Sequence, residues 1–227
     1  MTVWQWIWLG GRFLMGLFVA FHIYALVLII MAPPGTANMA GRAVQGTELY
    51  HTWVPIEDIS PHLIRAVIAA EDTRFCEHNG IDVDAVRDAL EERETKGRLR
   101  GASTLTQQTA KNVFFWNGGG LPRKAGEAWM AVFIDGIWGK RRVLEVYLNV
   151  AEWGDGLYGA QAAAYGRYGK SASDLTEFEA ARLAAVLPSP NKWRVRPAGP
   201  YVRQRTGTVQ ARMRVVRRDG LDACVLN

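Results

Sequence analysis

The chain has 227 residues, 49% of them hydrophobic and 22% charged, enough apolar content for one sizeable globular domain with an appendage. Its net charge of +5 suits a domain that works beside anionic lipid or on an anionic substrate. Two cysteines, Cys76 and Cys224, are too few to define a disulfide framework, and Cys76 reads as a small buried side chain without chemistry of its own.

From Phe13 to Ala32 the chain is almost wholly apolar, interrupted only by Gly16 and His22. About twenty such residues are what a helix needs to cross a bilayer. A secretory signal peptide is the rival reading, but the run is longer than a usual secretory core and Met31-Ala-Pro-Pro-Gly is a poor cleavage site. Trp4, Trp6 and Trp8 supply interfacial anchors. Arg12 precedes the span, while the first acids, Glu48 and Glu57, follow it, which favours an inside N-terminus. The expected layout is a cytoplasmic segment over 1–12, a transmembrane helix over 13–32, a Pro-, Gly- and Ala-rich linker over 33–50 and an external domain over 51–227. An external, tethered domain argues against nucleic acid as a partner.

Within the domain, Leu63, Ile64, Val67 and Ile68 recur at helical spacing after Pro61 and predict a helix to Asp72. Glu71 falls on that same apolar stripe, which continues to Phe75. A carboxylate there is partly desolvated, which raises its pKa and makes it a better proton acceptor near neutral pH. The plain alternative is a helix-end glutamate bound by a nearby arginine. A second helix is expected from Asp82 to Glu94, with Val83, Val86, Ala89 and Leu90 on its core face, followed by an exposed basic loop, Lys96-Gly-Arg-Leu-Arg-Gly.

Ser103 and Thr104, with Gln107 three residues on, spell a capping box that opens the next helix. Adjacent Gln107 and Gln108 cannot both face the core, so one of them, with Lys111 a turn later, points into a cleft or to water. After three glycines, Pro122 starts a helix to Trp138 that is apolar nearly all round and therefore predicted to be central and buried. Its interior acids are Glu127 and Asp135, and Arg123 and Lys124 stand one turn before Glu127, where they can form an ordinary intrahelical pair. A further helix covers Lys140 to Trp153 with Val143, Leu144, Tyr147, Leu148 and Ala151 as its core stripe.

Thr176 and Glu179 form another capping box, and a last helix from Tyr201 to Arg218 carries Val209, Met213 and Val216 as a narrow seam opposite many arginines, which read as solvated or resting on lipid headgroups. Ser189-x-x-Lys192 matches a penicillin-interacting motif but lacks its companion motifs. No strand-like alternation of any length appears, so the domain is read as mainly α.

Together, Glu71-Asp72-x-x-Phe75-x-x-His78-x-Gly80-x-Asp82, Gly101-x-Ser103-Thr104-x-x-Gln107-Gln108-x-x-Lys111-Asn112, Arg123-Lys124-x-x-Glu127, Tyr147-Leu-Asn149 and Leu175-Thr-x-x-Glu179-Ala-Ala resemble the bacterial peptidoglycan glycosyltransferases, in particular their monofunctional, membrane-anchored members. The resemblance covers roughly Trp53 to Trp193. It implies a mainly α, lysozyme-like fold and polymerisation of lipid II into β-1,4-linked glycan by inverting transfer, with release of undecaprenyl pyrophosphate. By resemblance Glu71 is the general base and Glu127 the second essential acid. Lys111, Arg123 and Lys124 are the cations that hold the pyrophosphate, and Asp72, Phe75, Ser103, Thr104, Gln107 and Gln108 line the cleft. A lysozyme-like hydrolase would also use two carboxylates, but has no need of these cations.

The implied partners are lipid II, the nascent glycan strand and membrane lipids, with room for other cell-wall synthesis proteins. The implied location is the bacterial inner membrane with the catalytic domain on the periplasmic side. No protein metal site is assigned: His78 with Asp72 and Asp82 reads as a hydrogen-bonded structural histidine, and Mg²⁺ or Mn²⁺ is left as an optional cofactor. Two departures from the family pattern stand out. Gly119 occupies a position where many members carry a further arginine, for which Arg98 or Arg100 of the basic loop could substitute. Arg167-Tyr168 replaces a usual Tyr-Phe, a change expected to be structural only.

Overall fold

A computed structural model describes residues 2–97 and 101–226. It divides into two compact units, residues 1–33 and 34–227. The first is one helix, α1 (Val3–Val27), with a Thr2–Gln5 capping box. The helix therefore starts well before Phe13: the cap sets the beginning, and the Trp-rich segment simply extends the apolar run. Among the described residues α1 is the one helix long and apolar enough to cross a membrane.

The second unit contains α2 (Ala37–Val44), α3 (Pro61–Glu71), α4 (Val83–Lys96), α5 (Leu105–Phe114), α6 (Gly120–Val150), α7 (Ala160–Tyr168), α8 (Glu177–Val186), α9 (Pro200–Asp219) and α10 (Ala223–Leu226). A small sheet of β1 (Tyr50–His51), β2 (Glu152–Gly154) and β3 (Leu157–Tyr158) has the order β1-β3-β2, with β1 parallel and β2 antiparallel to β3. Strands of two or three residues are too short to leave an alternating pattern, so the mainly α reading holds.

Two layers of packing position the cleft. One is α5 laid along α6; the other is the bundle of α3, α8 and α9. Their cores are Leu63, Ile64, Val67 and Ile68 on α3, Leu105 and Ala110 on α5, Leu183 and Val186 on α8, and Val202, Val209, Met213 and Val216 on α9, all buried. Helix α6 breaks at Gly139, so the two helices expected on either side of that residue are joined at a kink. The second segment buries Val143, Leu144, Tyr147 and Leu148 as the spacing predicts.

Three expectations are corrected. The α4 face buries Ala89 but leaves Val83 67% and Leu90 52% exposed, because that helix packs on its neighbours through little more than one edge. The first half of α6 is not buried all round: Leu121 and Val132 are exposed while Met130, Ala131 and Ile134 face the core. A helix with apolar residues on every side can bury only the face that finds a partner. Finally, Cys76 and Cys224 are bonded to each other, with their Cα atoms 5.6 Å apart. At a sequence separation of 148, no local spacing announced the pair. The bridge ties the loop after α3 to the C-terminal segment, where Arg65 Nε also donates to Asp222 at 2.7 Å.

Candidate active site

Helix α3 starts at Pro61 behind the Ser60 cap and ends at Glu71, because Asp72 leaves helical geometry at φ −161°. The turn places Glu71 on the wall of a cavity of about 410 Å³ shared with Ser103, Gln108, Pro188, Arg205 and Arg212. Gln108 Nε2 donates to Glu71 Oε2 at 3.1 Å, and Tyr147 Oη donates to Gln108 Oε1 at 3.2 Å. Glu71 Oε1 is buried with no hydrogen-bond partner among the described residues. A buried carboxylate oxygen with no hydrogen bond within the protein keeps its capacity to accept one.

Burial pushes the Glu71 pKa up. The Gln108 hydrogen bond and the Arg205 charge oppose the rise, and the nearby Asp72 charge adds to it. Arg205 Nη2 stands 3.6 Å from Glu71 Oε1, too far for a hydrogen bond. The plain alternative of a glutamate neutralised by an arginine is thus only half met: Arg205 pairs with Glu71 by charge but does not hydrogen-bond to it.

Gln108 and Lys111 lie one turn apart on α5, so the helix face that touches Glu71 continues into a group of cations. Burial and the neighbouring Arg123 charge lower the Lys111 pKa; the same causes, with Lys111 added, lower that of Lys124. Arg123 pairs with Glu127, whose side chain is 1% exposed, and Lys124 Nζ lies 3.3 Å from Glu127 Oε2. Lys124 Nζ also donates to Ser103 Oγ at 2.9 Å, which joins the cations to the cleft wall. Lys111 has no acid partner among the described residues. Three cations around one buried acid leave a positive excess suited to a multiply charged oxyanion.

The structure thus brings Glu71, Ser103, Gln108, Lys111, Arg123, Lys124 and Glu127 into one connected site. Of the remaining candidates, Asp72 and Thr104 line a cavity with Glu71 and Ser103 while also making structural bonds, and the others do structural work only. Phe75 is fully buried, with Lys140 Nζ 4.8 Å above its ring, and does not line the cavities beside Glu71. Thr104 and Gln107 close the α5 capping box, Thr104 Oγ1 also donating to the Gly80 carbonyl at 2.6 Å. Asp72 accepts from Leu105 N at 2.9 Å and from His78 Nε2 at 3.0 Å, so it fixes the start of α5 while its edge lines the cleft. Asp82 accepts from Ala85 N at 2.9 Å and caps α4.

Arg205 and Arg212 were missed as solvated arginines of the last helix. Arg205 follows Val202 by three residues and precedes Val209 by four, which sets it at the margin of the buried seam; that spacing was the available signal. Arg98 and Arg100 lie outside the described residues. Gly119 caps α6 at φ +79°, and a Cβ added there would meet Arg123 Cβ at 2.9 Å. Placing an arginine at 119 is therefore strained and cannot serve as a clean restoration of charge.

Residues 38–214 match the family model described as transglycosylase. The chain is 51% identical over 211 residues to a biosynthetic peptidoglycan transglycosylase of Rhodospirillum centenum, covering 89% of this chain and 91% of that protein. It is 50% identical over 208 residues to the protein of that name in Caulobacter vibrioides, covering 91% of each. With the Pseudomonas aeruginosa protein of the same name the identity is 46% over 208 residues, covering 89% of this chain and 90% of that one.

Proposed function

The chain belongs to the transglycosylase family, and from that premise we propose that it polymerises lipid II into peptidoglycan glycan strands. Glu71 takes the proton of the acceptor 4-hydroxyl as that oxygen attacks the anomeric carbon of the growing chain. The new β-1,4 C–O bond forms as the bond to pyrophosphate breaks, and undecaprenyl pyrophosphate leaves with the electron pair. The desolvated Glu71 carboxylate, its Oε1 without a hydrogen bond and 3.6 Å from Arg205, carries this reading.

Lys111, Arg123 and Lys124 stabilise the charge that grows on the leaving group, and Glu127 holds the last two of them in place. These cations supply the neutralisation that a protein-bound metal would otherwise give. On this reading a divalent cation such as Mg²⁺ or Mn²⁺ would be held by the oxygens of the substrate's own pyrophosphate. Helix α1 anchors the domain at the lipid that carries the substrate. A periplasmic placement is supported by the Cys76–Cys224 bridge, which suits an oxidising compartment.

The direct test is labelled lipid II given to the full chain in detergent. Polymer is expected; cut glycan would mean a hydrolase and no turnover a binding module. Lys111→Met should lower turnover by about ten- to a hundredfold, since a charge-assisted contact to phosphate contributes about 1.5–3 kcal/mol. An unchanged rate would remove Lys111 from the pyrophosphate site.

Arg205→Gln tests the tuning of the base. The Arg205 charge holds the Glu71 pKa down, so its loss raises that pKa further. Because the base acts deprotonated, the acid limb of kcat/KM moves to higher pH; a profile that stays in place would show that Arg205 does not act on Glu71. Deleting residues 1–33 should leave a folded domain with lower activity on bilayer-embedded lipid II, and equal rates in liposomes would show that the anchor is dispensable.

A further inference from the structure

The Arg167-Tyr168 departure builds something the catalytic reading does not use. Arg167 and Tyr168 close α7, and the Arg196 guanidinium stacks 4.6 Å over the Tyr168 ring. Tyr168 Oη donates to the Glu179 carbonyl at 3.4 Å, three residues before Arg182, whose guanidinium lies 4.4 Å over Phe178. Arg167, Arg182 and Arg196 all lie near enough to Tyr168 to act on its phenol electrostatically.

None of the three forms an ion pair among the described residues, and the Nε atoms of Arg167 and Arg182 are buried without an acceptor. The adjacent carboxylate, Glu179, is taken by Lys170 Nζ at 3.0 Å and the Thr176 hydroxyl at 2.9 Å. The Arg167 guanidinium also lies close against Gly154, in the space that a Cβ there would occupy. Guanidinium groups held by stacking and close fit lose little freedom when they bind, and they match carboxylate or phosphate oxygens two at a time.

Arg167 is also one wall of a groove of about 730 Å³, within the usual range of small-ligand sites. The groove is lined by Tyr50, His51 and Leu157 from the paired strands β1 and β3 and by Ala162 and Tyr165 from α7. Its single acid, Asp155, is already paired with Arg42. A largely apolar wall that ends at Arg167, with Arg182 and Arg196 around the neighbouring Tyr168, fits a short aliphatic chain terminating in an oxyanion. In the proposed reaction the phosphates belong to Lys111, Arg123 and Lys124, so the anion left on a disaccharide-peptide is the carboxylate of its peptide.

We infer that this groove, closed by Arg167 with Arg182 and Arg196 beside it, is a subsite for the carboxylate-terminated peptide carried on the glycan. The inference rests on the polymerase reading. It is tested with the full chain in detergent by calorimetric titration of four probes: a soluble disaccharide-peptide, its carboxamide form, inorganic phosphate, and phosphatidylglycerol vesicles. The free acid should bind, and amidation or Arg167→Gln should weaken it by roughly ten- to a hundredfold, the range of a charge-assisted contact.

Tyr165→Ala, which narrows the apolar wall without touching charge, should weaken both peptide forms alike. Equal binding of acid and carboxamide, no effect of Arg167→Gln, or binding of phosphate or vesicles alone would overturn the peptide subsite. The same variants are assayed on lipid II that lacks its peptide, where rates should match wild type within about twofold. If wild type polymerises but the fragment does not bind, the subsite fails alone; if wild type makes no polymer, the polymerase reading fails with it.

Discussion

Glu71→Gln should lower the rate of lipid II polymerisation by about 10²- to 10⁴-fold, the usual contribution of a positioned general base. The substitution keeps the size of the side chain and an oxygen able to accept from Gln108 Nε2, so what it removes is basicity. Stability should move the other way. Burial raises the Glu71 pKa in the folded protein. A group with a raised folded pKa adds stability below its unfolded value, about 4.3 for glutamate, and loses it as pH rises through the folded value. At neutral pH ionised Glu71 therefore works against folding, and its neutral counterpart should show an equal or higher Tm. Activity within a few-fold of wild type would remove Glu71 as the base. A fall in Tm would instead mark it as a structural partner of Arg205, the plain reading of a helix-end acid.

Breaking the Cys76–Cys224 bridge should have the largest effect on stability. In the chain-entropy description, a link across a separation of 148 residues restricts the unfolded chain by about 5 kcal/mol, while measured losses centre on about 2–4 kcal/mol. For a domain of this size each kcal/mol shifts Tm by about 2–4 °C, so Cys224→Ser or reduction should lower Tm by about 5–15 °C. Catalysis at room temperature should survive, because Glu71, Gln108 and the cations stand on α3, α5 and α6 rather than on the bridged segments. Thiol counting of the purified chain checks the premise: two free thiols, or the same Tm with and without reductant, would dismiss the bridge.

Much of this molecule is written locally. Pro61, Thr104 with Gln107, and Thr176 with Glu179 mark helix starts through preferences confined to one turn, and all three open helices where the spacing places them. The break between Trp138 and Lys140 and the buried seam of α9 follow from the same short-range rules. Five ordered motifs identify the family, and an acid on an apolar stripe marks Glu71 as unusual before any fold is known.

Other features depend on which elements meet. An apolar residue on α4 or early α6 is equally ready to be buried anywhere along its helix, so Val83, Leu90, Leu121 and Val132 remain exposed simply because no neighbour covers them. Gln107 and Gln108 are alike in sequence, yet one is used in a cap and the other holds the base, since Glu71 of α3 and Tyr147 of α6 both meet Gln108. The Cys76–Cys224 bond, the approach of Arg205 to Glu71 and the arginines around Tyr168 join residues remote in the chain. Pairing at such separations is decided by the packing of whole helices, and no periodicity in the sequence encodes it.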